Sequence, residues 1–434
     1  MERLKPLPAR ALFKNAQIID PIGLREYEGD ILVIGGKIAE IGKFEKAPDN
    51  CEIYNLSGLS VSPGFVDMHA HLREPGREDE ETITSGCLAA MAGGFTAVCT
   101  MPNTNPPVDN QEVVRFILRQ AEGQLVDLIP FGSISKGLKG RELTEIGDMV
   151  EAGIKGVTDD GNPVMNAAIM RRVLEYSRLF DITVSNHSED INLTEGGCIN
   201  EGFTSTRLGL PGMPAIAESI MIYRDIILAR YTGGRLHIPH VSTEESIKLI
   251  RAAKDMGVDV TCEVAPHHVS LTEEDAESFD ANLKVNPPLR ERKDIDALIE
   301  GLEDGTIDVI STDHAPHARE EKEMDFISAP FGIIGLETAF SIIMTFLVDK
   351  GHLSLPRAVA KLTVNPAKIL RLKGMDLKRG ENANMTIFDR DEIWTVKKEE
   401  FKSKSKNSPF IGWKLKGKIK GVINKNLIYM NEKI

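Results

Sequence analysis

The sequence predicts a (β/α)8 barrel of the TIM type, with a small β-sandwich domain formed from both termini, and three features predict it. Between Ser62 and about Leu372, short β-branched runs alternate with longer amphipathic stretches, as expected of repeated βα units with parallel strands. Eight such units can be counted, which suits a closed barrel. Both flanks instead carry short alternating segments separated by turn signals. One small β domain drawn from the two ends is the economical arrangement.

Taken in order, the flanks 11–56 and 382–429 hold the short alternating segments, with turns at Gly35-Gly36 and Arg379-Gly380. Barrel strands are expected at 64–72, 95–101, 125–134, 153–158, 182–187, 235–241, 258–264 and 307–312. Helical patterns follow them. In 111–122, 166–180, 243–256 and 335–347, apolar residues recur at three- and four-residue spacing, which marks one buried face of a helix. The implied boundaries are 1–61 and 376–434 for the small domain and 62–375 for the barrel, with no internal repeat, low-complexity run or flexible linker.

With 434 residues, 41% of them hydrophobic, the chain can bury a large core. Its formal charge of -13 disfavours nonspecific binding to nucleic acid or an anionic membrane surface. The five cysteines are scattered and odd in number, with no Cys-x-x-Cys spacing, which argues against a disulfide framework and fits a reducing cytoplasm. No apolar run is long enough to span a bilayer, and Met1-Glu2-Arg3-Leu4-Lys5-Pro6 does not lead into a signal-peptide region. A soluble, cytoplasmic protein is expected.

In such a barrel the reactive groups sit at the C-terminal ends of the strands, so functional side chains should appear where apolar runs stop. His69 and His71 end strand one, Asp159-Asp160 end strand four, His187 ends strand five, His240 strand six and Asp313 strand eight. Residues two apart on a strand face the same way, so His69 and His71 can converge as imidazole ligands for zinc or a similar ion. Alone, an Asp before Gly reads as a turn and a His in an apolar run as a hydrogen-bonded core residue. Turn chemistry does not predict that four of the ten histidines fall at one edge of one barrel.

Four imidazoles and two carboxylates exceed the ligand set of one catalytic zinc but suit two ions sharing an anionic bridge. Asp160, or Lys155 if carbamylated, can be that bridge. Lys155 falls at the beginning of strand four, on the stability face, whereas Asp160 follows its end, so Asp160 is the expected bridge. Asp159 then reads as a turn residue or an outer acceptor. Asp313 can be a ligand, a proton carrier or both. Water held by a metal has its pKa lowered towards ~7, and a carboxylate beside it can take the remaining proton and return it to a departing nitrogen. Hydrolysis of a C–N bond follows naturally.

Arg73 either grips a carboxylate with two parallel hydrogen bonds or forms a surface salt bridge to Glu74 or Glu78. Asn103 and His317 supply further donors, which points to a small anionic substrate. Asn286, before Pro287, reads by itself as a turn residue. His237 precedes His240 by three residues, faces the other side of the strand and reads as structural. His267 and His268 are adjacent and cannot both point inward, which leaves one for the pocket rim. His314 and His352 carry no argument beyond position.

Together these residues resemble the amidohydrolase superfamily and, within it, the type I bacterial dihydroorotases. The resemblance rests on Ser62-Pro63-Gly64-Phe65-Val66-Asp67-Met68-His69-Ala70-His71-Leu72-Arg73-Glu74-Pro75-Gly76, Met101-Pro102-Asn103-Thr104, Thr158-Asp159-Asp160-Gly161, Pro239-His240-Val241-Ser242-Thr243, Glu263-Val264-Ala265-Pro266-His267-His268, Lys284-Val285-Asn286-Pro287-Pro288-Leu289-Arg290, the Asp313 segment and Ala329-Pro330-Phe331-Gly332. It implies that His69 and His71 hold one zinc with Asp313, that Asp160 bridges to a second, and that His187 and His240 complete the second ion's shell. It implies too that Arg73, Asn103 and His317 receive the carboxylate of dihydroorotate beside His71. Asn286 and the Phe331-Gly332 backbone would meet the pyrimidine ring.

The implied reaction is reversible cyclisation of N-carbamoyl-L-aspartate to L-dihydroorotate plus water in pyrimidine synthesis, with a metal-bridging hydroxide as nucleophile and Asp313 as proton shuttle. A homo-oligomer, most simply a dimer, and association with aspartate carbamoyltransferase belong to the same resemblance. One departure is Ser185-Asn186-His187-Ser188, where Ala and Cys often flank the histidine. Hydantoinases and allantoinases are the runner-up, although they typically use a carbamylated lysine bridge. A noncatalytic scaffold for the transcarbamoylase is disfavoured because all six ligand candidates are present.

Overall fold

Alternating apolar residues from both ends of the chain build one nine-stranded sheet in the computed structural model, which describes residues 4–431. Met1, Glu2 and Arg3 of the opening stretch, and residues 432–434 of the expected C-terminal segment, lie outside the described residues. The strands run in the order Leu4–Pro6, Leu427–Met430, Lys414–Asn424, Met385–Thr395, Ser60–Pro63, Arg10–Asp20, Arg25–Ile34 and Lys37–Gly42, and Glu52–Asn55 pairs with Arg10–Asp20. The two ends of the chain meet where Met385 pairs with Pro63 and Phe388 with Ser60, antiparallel. The expected sandwich is thus hydrogen-bonded as one continuous sheet around a single apolar cluster that includes Phe13, Ile18, Val33, Tyr54, Met385, Ile387 and Ile423. Gly35 and Gly36 turn the hairpin between Arg25–Ile34 and Lys37–Gly42 with φ of 59° and 76°, left-handed values that a two-residue hairpin needs at both positions.

The eight expected parallel strands all form. Phe65–Ala70, Phe95–Thr100 and Asp127–Pro130 make a three-stranded sheet; Gly156–Val157, Thr183–Ser185, Leu236–Ile238, Val260–Val264 and Val309–Ile310 make a five-stranded one. Single parallel bridges join the two at both seams, Gly132 to Val157 and Ala70 to His314. The Asp67 carboxylate fastens the second seam by accepting from Thr312 N at 2.9 Å and Thr312 Oγ1 at 2.6 Å. Observed strands are shorter than expected because their flanking backbone groups bond to side chains and loops. Strand three stops at Pro130, and Ile134 N and Ser135 N donate instead to Asp159 Oδ1 at 2.8 and 3.0 Å.

Helices Gln111–Gln120, Ala167–Ser177 and Glu244–Asp255 match three predicted ones, and Asn110, Asn166 and Thr243 are their N-caps, accepting from the first-turn N–H groups. The predicted 335–347 helix begins later, as Ala339–Ile343 continued by a π-helical turn at Met344–Val348. Ahead of it Gly335 N donates to the buried His314 ring at 3.1 Å. An insertion with the parallel pair Ile199–Asn200 and Gly212–Met213 follows strand five and carries no sequence signal strong enough to foresee. Among the described residues, no helix is long and apolar enough to cross a membrane.

Candidate active site

Strand one delivers its two histidines through an irregularity. Val66 and Met68 pack with Ala97, Cys99, Ile129, Phe131 and Val309 of neighbouring strands, while Phe65 and Ala70 join the cluster beneath the helices. Strict alternation would send His69 and His71 to the face opposite Met68. The pairing with strand two shifts register between Asp67 and Ala70, and such a shift re-aims the residues beyond it. His69 Nε2 and His71 Nε2 both come within 3.3 Å of Asp160 Oδ2.

The other Asp160 oxygen faces a second pair. His240 Nε2 lies 3.4 Å and His187 Nδ1 3.8 Å from Oδ1, and the two ring nitrogens are 3.1 Å apart. The strand-end residues therefore form two donor clusters, His69-His71-Asp160 and Asp160-His187-His240, that share Asp160. Asp313 Oδ1 sits 3.7 Å from His69 Nε2 and 3.5 Å from His71 Nε2.

Outer partners fix which nitrogen of each ring faces the centre. A carboxylate cannot donate, so His69 Nδ1–H donates to Glu263 Oε1 at 2.9 Å and His187 Nε2–H donates to Glu189 Oε2 at 2.9 Å. His71 Nδ1–H donates to Asn103 Oδ1 at 2.8 Å. In each case the far nitrogen is held as a donor, so the near one is left to face the centre and, once it gives up any proton, to bind a metal. His69 Nε2 is buried and makes no hydrogen bond. A buried unpaired nitrogen is costly among protein atoms alone, but it fits a cation shared with carboxylates.

Electrostatics run the same way. Burial would raise the Asp160 carboxyl, but the facing His69, His240 and His71 imidazoles hold it well below the usual range. Against the same burial penalty, His71, His69 and His240 hold Asp313 low. Both are anions. Arg73, His240 and Asp313 also adopt left-handed backbone, with φ of 61°, 34° and 48°, each costing about 1–3 kcal/mol in a non-glycine residue.

The polar residues expected around the substrate gather on loops beside this centre. Arg73 makes its ion pair with Glu80, Nε to Oε2 at 3.0 Å, and donates to Pro316 O at 3.0 Å. Its Nη2 is 3.3 Å from His317 Nε2. Asn286 donates to Glu189 Oε2 at 2.8 Å and so is tied to the carboxylate that orients His187. Gly332, at φ 125°, packs where a Cβ would lie 2.6 Å from Ala315 Cβ, so only glycine brings this backbone close to Ala315 and His317. The Phe331 carbonyl oxygen lies 2.7 Å from His317 Nε2.

Several residues fall where the sequence reading leaves them outside the centre. Lys155 is exposed before strand four. Asp159 caps the loop after strand three, and His237 Nε2 lies 3.2 Å from Glu263 Oε2. His314 binds the Gly335 backbone, and His352 meets Glu303 at 3.0 Å. His267 and His268 are both buried, with rings 4.3 Å apart; His268 Nε2 donates to Pro287 O at 2.9 Å, and burial keeps both imidazoles below their ordinary range. The orienting carboxylates Glu80, Glu189 and Glu263 escape the sequence reading. Glu263 alone offered a signal, as an acid within an apolar strand.

Comparison with known proteins bears on the whole chain. A family model described as Dihydro-orotase-like matches residues 58–246. A dihydroorotase of Caldicellulosiruptor saccharolyticus is 51% identical over 414 residues, covering 95% of this chain and 96% of that protein. One of Acetivibrio thermocellus is 48% identical over 424 residues, covering 98% and 99%. Among solved structures, an L-hydantoinase (dihydropyrimidinase) from Arthrobacter aurescens superposes with a TM-score of 0.88 at 27% identity, covering 98% of this chain and 97% of its own. A dihydropyrimidinase from Brevibacillus agri gives 0.84 at 21% identity over 96% and 94%, a likeness of fold alone.

Proposed function

The chain belongs to the dihydroorotase family, and from that premise we propose that it interconverts N-carbamoyl-L-aspartate and L-dihydroorotate at a centre of two zinc ions. The observation that carries this reading is the single carboxylate, Asp160, shared by two imidazole pairs. His69, His71 and Asp313 would hold one ion and His187 and His240 the other. Bound there, divalent ions polarise a carbonyl and lower the pKa of water. We further read the eight parallel strands and their two seam bridges as a closed (β/α)8 barrel over 62–375, with 1–61 and 376–434 as the second domain.

The protein's own part is orientation and proton transfer. Arg73, His317 and the free amide nitrogen of Asn103 grip the substrate carboxylate, and Asn286 with the Phe331-Gly332 backbone borders the ring. Asp313 accepts a proton as the ring amide is attacked and returns it to the departing nitrogen; cyclisation reverses the order. A hydantoinase-type lysine bridge is disfavoured because Lys155 is exposed before strand four. On the family resemblance, the working form is a cytoplasmic homodimer able to associate with aspartate carbamoyltransferase, which sedimentation with and without that enzyme measures.

The direct test follows dihydroorotate opening by the purified chain alongside its metal content. Asp313→Asn should retain metal and lose about 10²- to 10⁴-fold in kcat, the size of a general acid–base contribution. Near-normal turnover by the metal-replete variant removes Asp313 from this role. Wild-type protein inactive at every metal loading overturns the reading as a whole.

A further inference from the structure

We propose that Glu80 is a positioning residue that sets the carboxylate clamp and thereby the affinity for an anionic substrate; this rests on the function proposed above. Glu80 is 2% exposed. Its Oε2 lies 3.0 Å from Arg73 Nε, and its Oε1 lies 3.1 Å from both His317 Nδ1 and Arg77 Nη2. One buried carboxylate therefore holds two clamp residues that are 244 positions apart in the chain. Arg73 follows strand one, and His317 follows strand eight.

Glu80 is itself fixed in place. Its N–H donates to Arg77 O at 3.0 Å and its carbonyl accepts from Ser405 Oγ at 2.6 Å. Arg77 Nη2 also reaches Glu321 Oε1 at 2.7 Å, so the second arginine supplies a counter-charge without entering the clamp. A guanidinium held through Nε keeps its terminal nitrogens in a defined plane, which is what bidentate capture of a carboxylate needs. Ordering these long side chains before substrate arrives removes an entropic cost from binding.

A bare charge effect and a positioning effect have opposite signs here. Glu80 is an anion close to where an anion would bind, so neutralising it should strengthen binding if only charge mattered. If Glu80 positions, Glu80→Gln weakens binding, because the new NH₂ opposes either the Arg73 donor at Oε2 or the Arg77 donor at Oε1.

The test uses the metal-loaded full chain. Glu80→Gln should raise KM for dihydroorotate about tenfold with kcat within about threefold of wild type, and metal content should be unchanged. Inhibition by orotate, which carries the carboxylate, should weaken in parallel, while binding of dihydrouracil, which lacks it, should not change. Glu80→Asp, one methylene shorter, should fall between the two and serves if the Gln variant does not fold. Tighter dihydroorotate binding, or equal losses for orotate and dihydrouracil, overturns the proposal. Wild-type protein inactive on dihydroorotate at any metal loading would instead indict the underlying function.

Discussion

The two sides of the candidate site are built by different means. On the proposed metal side, His69 lies on strand one and Asp160, His187, His240 and Asp313 come two or three residues after their strands, so that each is within 4 Å of another member of the set. On the substrate side, Arg73, His317, Asn286 and Phe331 sit on loops, and their positions depend on Glu80, Glu189 and distant backbone carbonyls. Backbone regularity supplies the first geometry, and tertiary hydrogen bonds supply the second. The metal side should therefore fail as a unit, and the substrate side in graded steps.

Asp160→Ala strikes the point where the two candidate metal clusters join and should give the largest effect. Metal content should fall at both positions and turnover by more than about 10³-fold, as when a shared bridging ligand is lost; a variant that keeps two ions would break the unit picture. Glu263→Gln leaves all ligands but weakens the partner that orients His69. Metal affinity should drop about 10- to 100-fold, read by competition with a chelator, and unchanged affinity would make Glu263 merely structural.

The smallest effect concerns the loop carrying Phe331. Lys322 Nζ donates to Ala281 O and Pro330 O, both at 2.8 Å, and burial pushes its amine down to about 7. Its folded pKa lies below the ordinary 10.5, so the unfolded chain binds more protons between these values and stability must rise with pH across that window. The denaturation midpoint of wild type relative to Lys322→Met should improve from pH 7 to 10 and be lost on returning to pH 7. A flat difference would mean that the amine is ordinary. Metal content should be the same in both proteins.

This contrast explains what could be read in advance. The eight strands and the converging histidines were legible because β-branched runs and the residues that end them are local patterns. Asn103, foreseen as a substrate contact, turns its oxygen to His71, and Arg73 pairs with Glu80 rather than Glu74 or Glu78. Both facts depend on residues brought together by folding. The register shift that aims His69 is likewise a tertiary event, since nothing in Val66-Asp67-Met68-His69 distinguishes a shifted strand from a regular one.

The C-terminal sheet strands bring with them a segment that reaches back to the catalytic loops. Asn407 Nδ2 donates to Ala315 O at 3.0 Å and Gly332 O at 3.2 Å, and its Oδ1 accepts from His317 N at 3.3 Å. Ser405 and Lys404 secure the Glu80 carbonyl and the Glu81 carboxylate. Every candidate ligand precedes this tie in the chain, so during synthesis the loops proposed to hold substrate lack their last fastening until residues 404–407 emerge.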